Sequence, residues 1–154
     1  MTLLDALRAR TDEMLHALDA LVSAESPTSD IAACDAAAKV AADLGRRLIG
    51  AEPTWIAAAG RHHLHWSFPG ERRLVLIGHL DTVWPLGTLA RWPFAVSDGR
   101  ATGPGAFDMK AGFVQCLFAL AALDDLTGID IIMTTDEETG SSTSRQLVEE
   151  VGRG

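Results

Sequence analysis

The stretch LVLIGHLDTV, residues 74–83, joins an apolar run to a histidine and an aspartate spaced two positions apart. Leu74–Ile77 is typical of a buried strand, and His79 and Asp81 follow where such a strand leaves its sheet. An extended backbone puts residues i and i+2 on one face, so the two side chains can act together. A metal-bound histidine usually donates its other ring N–H to a carboxylate. Taken alone, however, these residues fit a polar strand end better than a metal site.

Size and charge limit the classes of protein to consider. The 154 residues fit one domain, and 47% hydrophobic with 22% charged residues is a globular composition. A formal net charge of −8 argues against a broad nucleic-acid surface, which needs a basic face. Acidic residues from Asp5 to Asp19 interrupt the N-terminal segment, unlike a signal peptide, and Phe113–Leu123 is too short to span a bilayer. We therefore expect no nucleic-acid partner, no membrane partner and a cytoplasmic location.

Hydrophobic periodicity predicts helices that alternate with strands. Four helices are predicted: over residues 3–22, from the Ser26–Ser29 break to about Gly50, over 109–123 and over 142–151. Thr2 is the predicted N-cap of the first helix, and hydroxyls of Ser26–Ser29 and Ser141–Ser144 are the predicted caps of the second and the last. Strands are predicted at 54–58, 62–68, 73–78 and 129–135, with short ones near 94–96 and 100–102. This alternation indicates an α/β sheet covered by helices on both faces.

Two further polar clusters stand beside predicted elements. In GPGAFDMK, residues 103–110, glycines precede Asp108 at a helix start, where an aspartate can simply be the N-cap. In TDEETGS, residues 135–141, three acids directly follow a buried strand, and a bound cation would relieve their mutual repulsion. Because neighbouring side chains diverge, Glu137 and Glu138 can serve different roles, one on a metal and one on its water.

The histidine-rich stretch RHHLHW, residues 61–66, is a weaker candidate for a metal site. In a strand, His63 and His65 face one way and His62 the other, so three ligands do not converge. We expect an ordinary, partly exposed strand here.

Taken together, GHLDTV, GPGAFDMKAG and TTDEETGSSTSRQL resemble, in order and spacing, the motifs of a family of dizinc hydrolases. His79 and Asp108 are 29 positions apart, and Asp108 and Glu138 are 30 apart. The family contains glutamate carboxypeptidase, aminoacylase, acetylornithine deacetylase and succinyl-diaminopimelate desuccinylase. DEETGS followed by SR is most similar to the glutamate carboxypeptidase branch. The resemblance implies a three-layer α/β/α zinc-exopeptidase-like catalytic domain, here truncated.

The resemblance also implies a role for each of five residues. His79 resembles the ligand of the first zinc, Asp81 the carboxylate that orients it, and Asp108 the bridge between two zinc ions, for which cobalt or manganese can substitute. Glu137 resembles the general base and Glu138 the ligand of the second zinc. The Asp108–Met109 peptide bond is expected to be cis.

The implied reaction is hydrolysis of a peptide or N-acyl amide bond in a small peptide or N-acyl amino acid, with a water activated by the glutamate base. The alternatives are an N-acyl amino acid deacylase or desuccinylase of the same family, and a non-catalytic remnant.

The family pattern includes parts that this sequence does not contain. It has another carboxylate ligand, a late histidine ligand, and a lid domain through which the proteins dimerise. The residues present would give each zinc two protein ligands, whereas a catalytic zinc normally has three. We therefore expect residues 1–154 to be the N-terminal portion of the catalytic domain, weak in zinc binding and inactive alone, from a parent protein that is a homodimer.

Overall fold

The computed structural model describes residues 2–153. Within this range the helices are α1 (Leu3–Arg8), α2 (Thr11–Ser23), α3 (Ile31–Ile49), α4 (Ala111–Leu120) and α5 (Arg145–Gly152). The strands are β1 (Thr54–Ala58), β2 (Arg61–Ser67), β3 (Leu74–His79), β4 (Ala95–Ser97), β5 (Arg100–Thr102) and β6 (Ile129–Thr134). Single helical turns occur at Thr88–Ala90, Ala106–Lys110 and Glu137–Thr139.

The main sheet has the strand order β1-β2-β6-β3 and is mixed. β2 pairs antiparallel with both β1 and β6, whereas β3 and β6 run parallel, with His79 opposite Thr134. β4 and β5 form a separate hairpin. Because β3 and β6 are parallel neighbours, the segments that follow His79 and Thr134 emerge at the same edge of the sheet.

Helices cover both faces of this sheet. On one face, α2, α3 and α4 pack on the side chains of Leu64, Trp66 and Ile131. On the other face, α5 places Leu147 and Val151 against Ile132. The predicted three-layer α/β/α arrangement is therefore confirmed.

A close contact fixes α3 on the sheet. A Cβ atom on Gly45 would lie 2.8 Å from the ring of Trp66, so only glycine lets the helix approach this buried indole. The Trp66 indole N–H donates to the main-chain oxygen of Ala51, 3.1 Å away.

The predicted helix over residues 3–22 is wrong in one respect, because the chain breaks between α1 and α2. Thr2 does cap α1, since its hydroxyl accepts from the Asp5 N–H at 3.2 Å. However, α1 buries no side chain, whereas α2 buries Leu18 and Leu21 in the core. The leucines of the two segments therefore do not form one continuous apolar stripe.

Three predicted helix starts also differ from the structure. The Ser26–Ser29 hydroxyls do not cap α3, which is capped by Asp30 through the Ala33 N–H at 2.9 Å. Asp108 does not cap α4, because the helix begins at Ala111 and Lys110, not Asp108, occupies its N-cap position. α5 begins at Arg145, and the hydroxyls before it do not cap it.

None of the helices in the described part of the chain is long and apolar enough to cross a membrane.

Candidate metal site

His79 lies buried at the carboxyl end of β3 with its ring held in one orientation. Its Nδ1–H donates to the main-chain oxygen of Asp81 at 3.0 Å, and the Asp81 carboxylate is farther away, at 3.6 Å. Nε2 is thereby directed outward, 3.0 Å from Oδ1 of Asp108. The expected pairing of His79 with Asp81 is present, but the closer acceptor is the carbonyl rather than the carboxylate.

The Asp81 carboxylate joins the two strand ends. It is fully buried and accepts from the Thr28 hydroxyl at 2.7 Å and from the N–H groups of Glu137 and Glu138 at 3.2 and 3.1 Å. Burial alone would raise its pKa, but the nearby His79 ring and hydrogen bonds from Thr28 and the two amides hold the pKa of Asp81 below its usual value. Asp81 thus stays charged and fixes the turn that carries both glutamates.

Three side chains converge on a common point beyond the sheet. One ligand atom each from His79, Asp108 and Glu138 lies within 4.8 Å of the others. Oε2 of Glu137 is 3.8 Å from Nε2 of His79. The Asp108 and Glu137 side chains are 69% and 52% exposed, so the group opens to solvent. One imidazole nitrogen with carboxylate oxygens is a donor set that suits zinc.

The electrostatics of this group favour a cation. Burial raises the pKa of Glu138, and the charges of Asp108, Asp81 and Glu137 raise it further, although the charge of His79 opposes them. Burial alone would lower the pKa of His79, but hydrogen bonds to Asp81 and Asp108 outweigh it and raise the pKa to about 9. A metal ion at Nε2 would therefore take the place of a proton that the free protein holds at neutral pH.

The peptide bond between Asp108 and Met109 is cis, as the resemblance implied.

Asp136 does not belong to the converging metal-binding side chains, although the sequence predicted that the three consecutive acids from Asp136 to Glu138 would repel one another. It is buried, and its Oδ2 accepts from the Thr143 N–H at 2.6 Å, the Thr143 hydroxyl at 2.8 Å and the Ser144 N–H at 3.2 Å. These bonds lower its pKa although burial alone would raise it. The carboxylate thus holds the turn that leads into α5, where hydroxyl caps had been predicted.

The histidines of RHHLHW lie on β2 and do not converge, as expected. His62 pairs with Asp35 at 3.1 Å and His65 with Asp130 at 2.6 Å, on opposite faces of the sheet. The expectation of partial exposure is wrong for His63, which is fully buried and accepts from the Thr135 N–H at 3.2 Å.

Sequence reasoning missed two supports of the site. The Nζ of Lys110, which is 1% exposed, donates to the main-chain oxygens of Leu21 and Ala24 at 2.9 and 2.8 Å. Thr28, interpreted as part of a helix break and of a helix cap, holds Asp81 instead. A lysine at the start of an otherwise apolar helix was the available signal for the first support, and nothing local marked the second.

Two open clefts flank the converging side chains. The Arg145 cleft, of about 500 Å³, is lined by residues that include Ile77, His79, Asp108, Glu137, Ser141 and Arg145. The aromatic cleft, of about 310 Å³, is lined by Val83, Trp84, Trp92, Gly103, Gly105, Phe107, Asp108 and Glu138. Asp108 lies between the two.

Residues 75–154, more than half of the chain, match the sequence model of Peptidase family M20/M25/M40. The chain belongs to this family. Carboxypeptidase G2 from Pseudomonas sp. (strain RS-16) is 41% identical over 86 residues, which are 53% of this chain and 21% of that M20 relative. Succinyl-diaminopimelate desuccinylase from Anaplasma marginale (strain Florida) is 42% identical over 72 residues, 45% of this chain and 19% of the relative.

Two solved structures share the fold. The M20 family metallo-carboxypeptidase Sso-CP2 from Sulfolobus solfataricus superposes with a TM-score of 0.77 at 19% identity, over 90% of this chain and 34% of that protein. Human carnosine dipeptidase 1 gives a TM-score of 0.75 at 25% identity, over 96% and 37%. The chain thus spans about a third of these solved structures, and its matched segments cover about a fifth of the curated relatives.

Proposed function

We propose that this chain supplies part of the active site of a zinc-dependent hydrolase of peptide or N-acyl amide bonds, most like a glutamate carboxypeptidase. The observation that carries the proposal is the convergence of His79, Asp108 and Glu138 within 4.8 Å at the carboxyl ends of two parallel strands. Membership of the M20 family and the similarity to carboxypeptidase G2 support the reaction class.

Each side chain has a task that its position suits. His79 presents Nε2, Glu138 presents one carboxylate, and the two oxygens of Asp108 allow it to lie between two ions. When bound, zinc supplies a water with a pKa near 7 and polarises the scissile carbonyl. Glu137, half exposed beside His79, can accept a proton on its carboxylate and pass it to the leaving amine.

The ligand count bears on what these residues do by themselves. His79 and Asp108 would serve one zinc, and Asp108 and Glu138 the other, which leaves each ion one protein ligand short of the usual three. We therefore expect the 154 residues alone to bind zinc weakly and to show no turnover. In this proposal the remaining ligands and the dimer contacts come from outside these residues, and the substrate is a small peptide or N-acyl amino acid.

A deacylase of the same chemistry is the second candidate. It is favoured by the similarity to succinyl-diaminopimelate desuccinylases, one of which is 36% identical over 89 residues.

Metal titration tests the assignment of the ligands. His79→Ala, Asp108→Ala and Glu138→Ala should each weaken Zn²⁺ or Co²⁺ binding, measured by calorimetry, by more than the roughly tenfold typical of losing an outer partner. Glu137→Ala and the control Glu71→Ala, an exposed glutamate on another loop, should bind metal like the parent chain.

Turnover tests the base. When the chain is assayed together with the remainder of such a catalytic domain, Glu137→Ala should abolish hydrolysis of N-acyl amino acids and keep the metal. Loss of metal in Glu137→Ala would mean that the two glutamates exchange roles, and hydrolysis by the purified 154 residues would contradict the expected inactivity.

A further inference from the structure

The last contacts between β2 and β6 are made by side chains rather than by the ladder. The regular pairing ends at Leu64 and Met133, just before the candidate metal site. Beyond this pair, the main-chain oxygen of Thr135 accepts from Nη1 of Arg61 at 2.5 Å, and its N–H donates to Nδ1 of His63 at 3.2 Å. Thr135 is itself fully buried. The turn that carries both glutamates therefore starts from a point that β2 fixes.

Arg61 joins this point to a second segment of the chain. Its Nη2 donates to the main-chain oxygen of Thr28 at 2.7 Å. The segment around Thr28 runs beside the residues that follow β3, because the N–H of Thr82 donates to the main-chain oxygen of Ser26 at 2.8 Å and the N–H of Thr28 donates back to Thr82 at 3.2 Å. One guanidinium group thus bridges the loop before α3 and the end of β6.

The same two segments are also joined through Asp81. Its carboxylate accepts from the hydroxyl of Thr28 and from the N–H groups of Glu137 and Glu138. Arg61 and Asp81 therefore form two links between the loop before α3 and the turn that carries both glutamates. Because these hydrogen bonds close into a ring, a shift of either segment breaks bonds at both links.

The chemistry of arginine suits this link. A guanidinium presents donors on separate nitrogens in one rigid plane and keeps its charge in proteins. Arg61 uses two of these nitrogens, one for each carbonyl oxygen, so it sets the separation of the two oxygens as well as binding them. A lysine at this position would bring its charge on a single nitrogen and would lack the fixed fork.

We propose that Arg61 is a positioning residue of the candidate metal site, because it holds the turn that carries Glu138 where this ligand meets the other two. The inference rests on the proposed function, which it extends to a residue outside the ligand set. Arg61 acts through the main-chain oxygens of two threonines and not on the reacting atoms. Changing the partner of a metal ligand typically weakens metal binding by about 10–100-fold. Because Arg61 lies one contact further out, we expect a loss at the lower end of this range, about tenfold.

The charge of Arg61 and its position have opposite effects on a metal ion. A guanidinium repels a nearby cation, so loss of the charge alone would strengthen metal binding. Loss of the link between Thr28 and Thr135 would instead weaken metal binding, since the turn is then free to move. The sign of the change in metal affinity therefore separates the two effects.

Metal titration by calorimetry on the 154-residue chain tests the proposal. Arg61→Met should weaken Zn²⁺ or Co²⁺ binding about tenfold, and Arg61→Lys, which keeps the charge but not the fork, should weaken it severalfold. The matched control is Arg72→Met, just before β3 and at the end of this strand away from His79. Arg72 also makes two hydrogen bonds, to Asp130 at 2.8 Å and to the main-chain oxygen of Val151 at 2.9 Å. This control should lose stability, measured by urea denaturation, yet bind metal like the parent chain.

Amide hydrogen exchange in the metal-free protein gives a second readout. The N–H groups of Glu137 and Glu138, followed by NMR on ¹⁵N-labelled protein, should exchange severalfold faster in Arg61→Met than in the parent chain. The same two amides should exchange at the parent rate in Arg72→Met once the loss of overall stability is subtracted.

The outcomes separate this proposal from the function on which it rests. Unchanged or stronger metal binding in Arg61→Met, or an equal loss in Arg72→Met, would overturn the positioning role. Parent affinity in Arg61→Lys would show that the charge alone matters and would overturn it as well. If the parent chain binds no metal, the proposed function fails, and the exchange rates still decide whether Arg61 holds the turn: unchanged rates overturn that role, and faster rates uphold it.

Discussion

Lys110 is the residue that ties the candidate metal site to the helical layer. Two positions beyond Asp108, it donates to two carbonyls at the carboxyl end of α2, where a cation is favoured by the helix dipole. Burial lowers the pKa of its ammonium group to about 8. A single side chain therefore fastens the turn that carries Asp108 to the carboxyl end of α2.

Lys110→Met should destabilise the fold substantially. The substitution keeps most of the apolar stem but leaves two carbonyl oxygens without their donor, at a cost of about 2–4 kcal/mol in the free energy of unfolding. Urea denaturation measures this loss in the free energy of unfolding. Lys39→Met, at the chain's other lysine and on an exposed face of α3, should change stability by less than about 0.5 kcal/mol. Equal stability of the two variants would contradict an anchoring role.

Single residues also show where the sequence was informative about the site. His79 ends a strand, Asp108 follows a glycine turn and Glu138 follows a strand, and their motifs in order were enough to predict that they meet. Thr28 and Lys110 act on residues 53 and 86 positions away in sequence. Contacts over such separations leave no trace in local spacing, so the sequence could mark Lys110 as unusual but could not reveal the partners of Lys110 or Thr28.

At the scale of elements, β6 carries an acid inside the sheet. Asp130 is buried and accepts from Nε of Arg72 at 2.8 Å and from Nε2 of His65 at 2.6 Å. Burial alone would raise its pKa, but the hydrogen bonds from Arg72 and His65 hold the pKa of Asp130 below its ordinary 3.8. The carboxylate thus links β2, β6 and the segment before β3.

This link should make the fold sensitive to acid. Because the pKa of Asp130 is depressed in the folded protein, the charged carboxylate adds its full contribution to the free energy of unfolding above about pH 4. This contribution is lost as the pH falls through the pKa of the folded state. Asp130→Asn should cost about 1.5–3 kcal/mol at pH 7 and lessen the further loss below pH 4, as measured by urea denaturation across pH. Asp124→Asn, at an exposed aspartate, is the control. An unchanged pH profile in Asp130→Asn would rule out this source of acid sensitivity.

The elements differ in how far periodicity predicted them. The strands were placed nearly correctly because apolar runs and turns bound them. The α1–α2 break was missed, since leucines such as Leu3 and Leu4 look like core residues in sequence yet are 52% and 55% exposed.

At the scale of the whole molecule, the motifs predicted the family and the layers but not the strand pairing. The pairing of β2 with β6 joins His65 to Ile132, and it is antiparallel within a sheet whose β3 and β6 are parallel. Which distant strands meet, and in which direction, depends on how the helices pack on both faces. Local alternation of polar and apolar residues carries no such information.

The outer side of β3 has a consequence for the behaviour of the molecule in solution. Among the described residues, β3 pairs only with β6, and its Leu74 and Ile77 side chains are 46% and 51% exposed. An unpaired strand edge without lysine or proline is a template on which another copy can add. We expect association at high concentration, seen by sedimentation velocity, that Ile77→Lys suppresses and the control Leu3→Lys does not; equal association in both would place the contact elsewhere. Ile77 also lines the Arg145 cleft. A second copy paired on this edge would therefore compete with a ligand for the cleft, so ligand affinity should fall as the protein concentration rises.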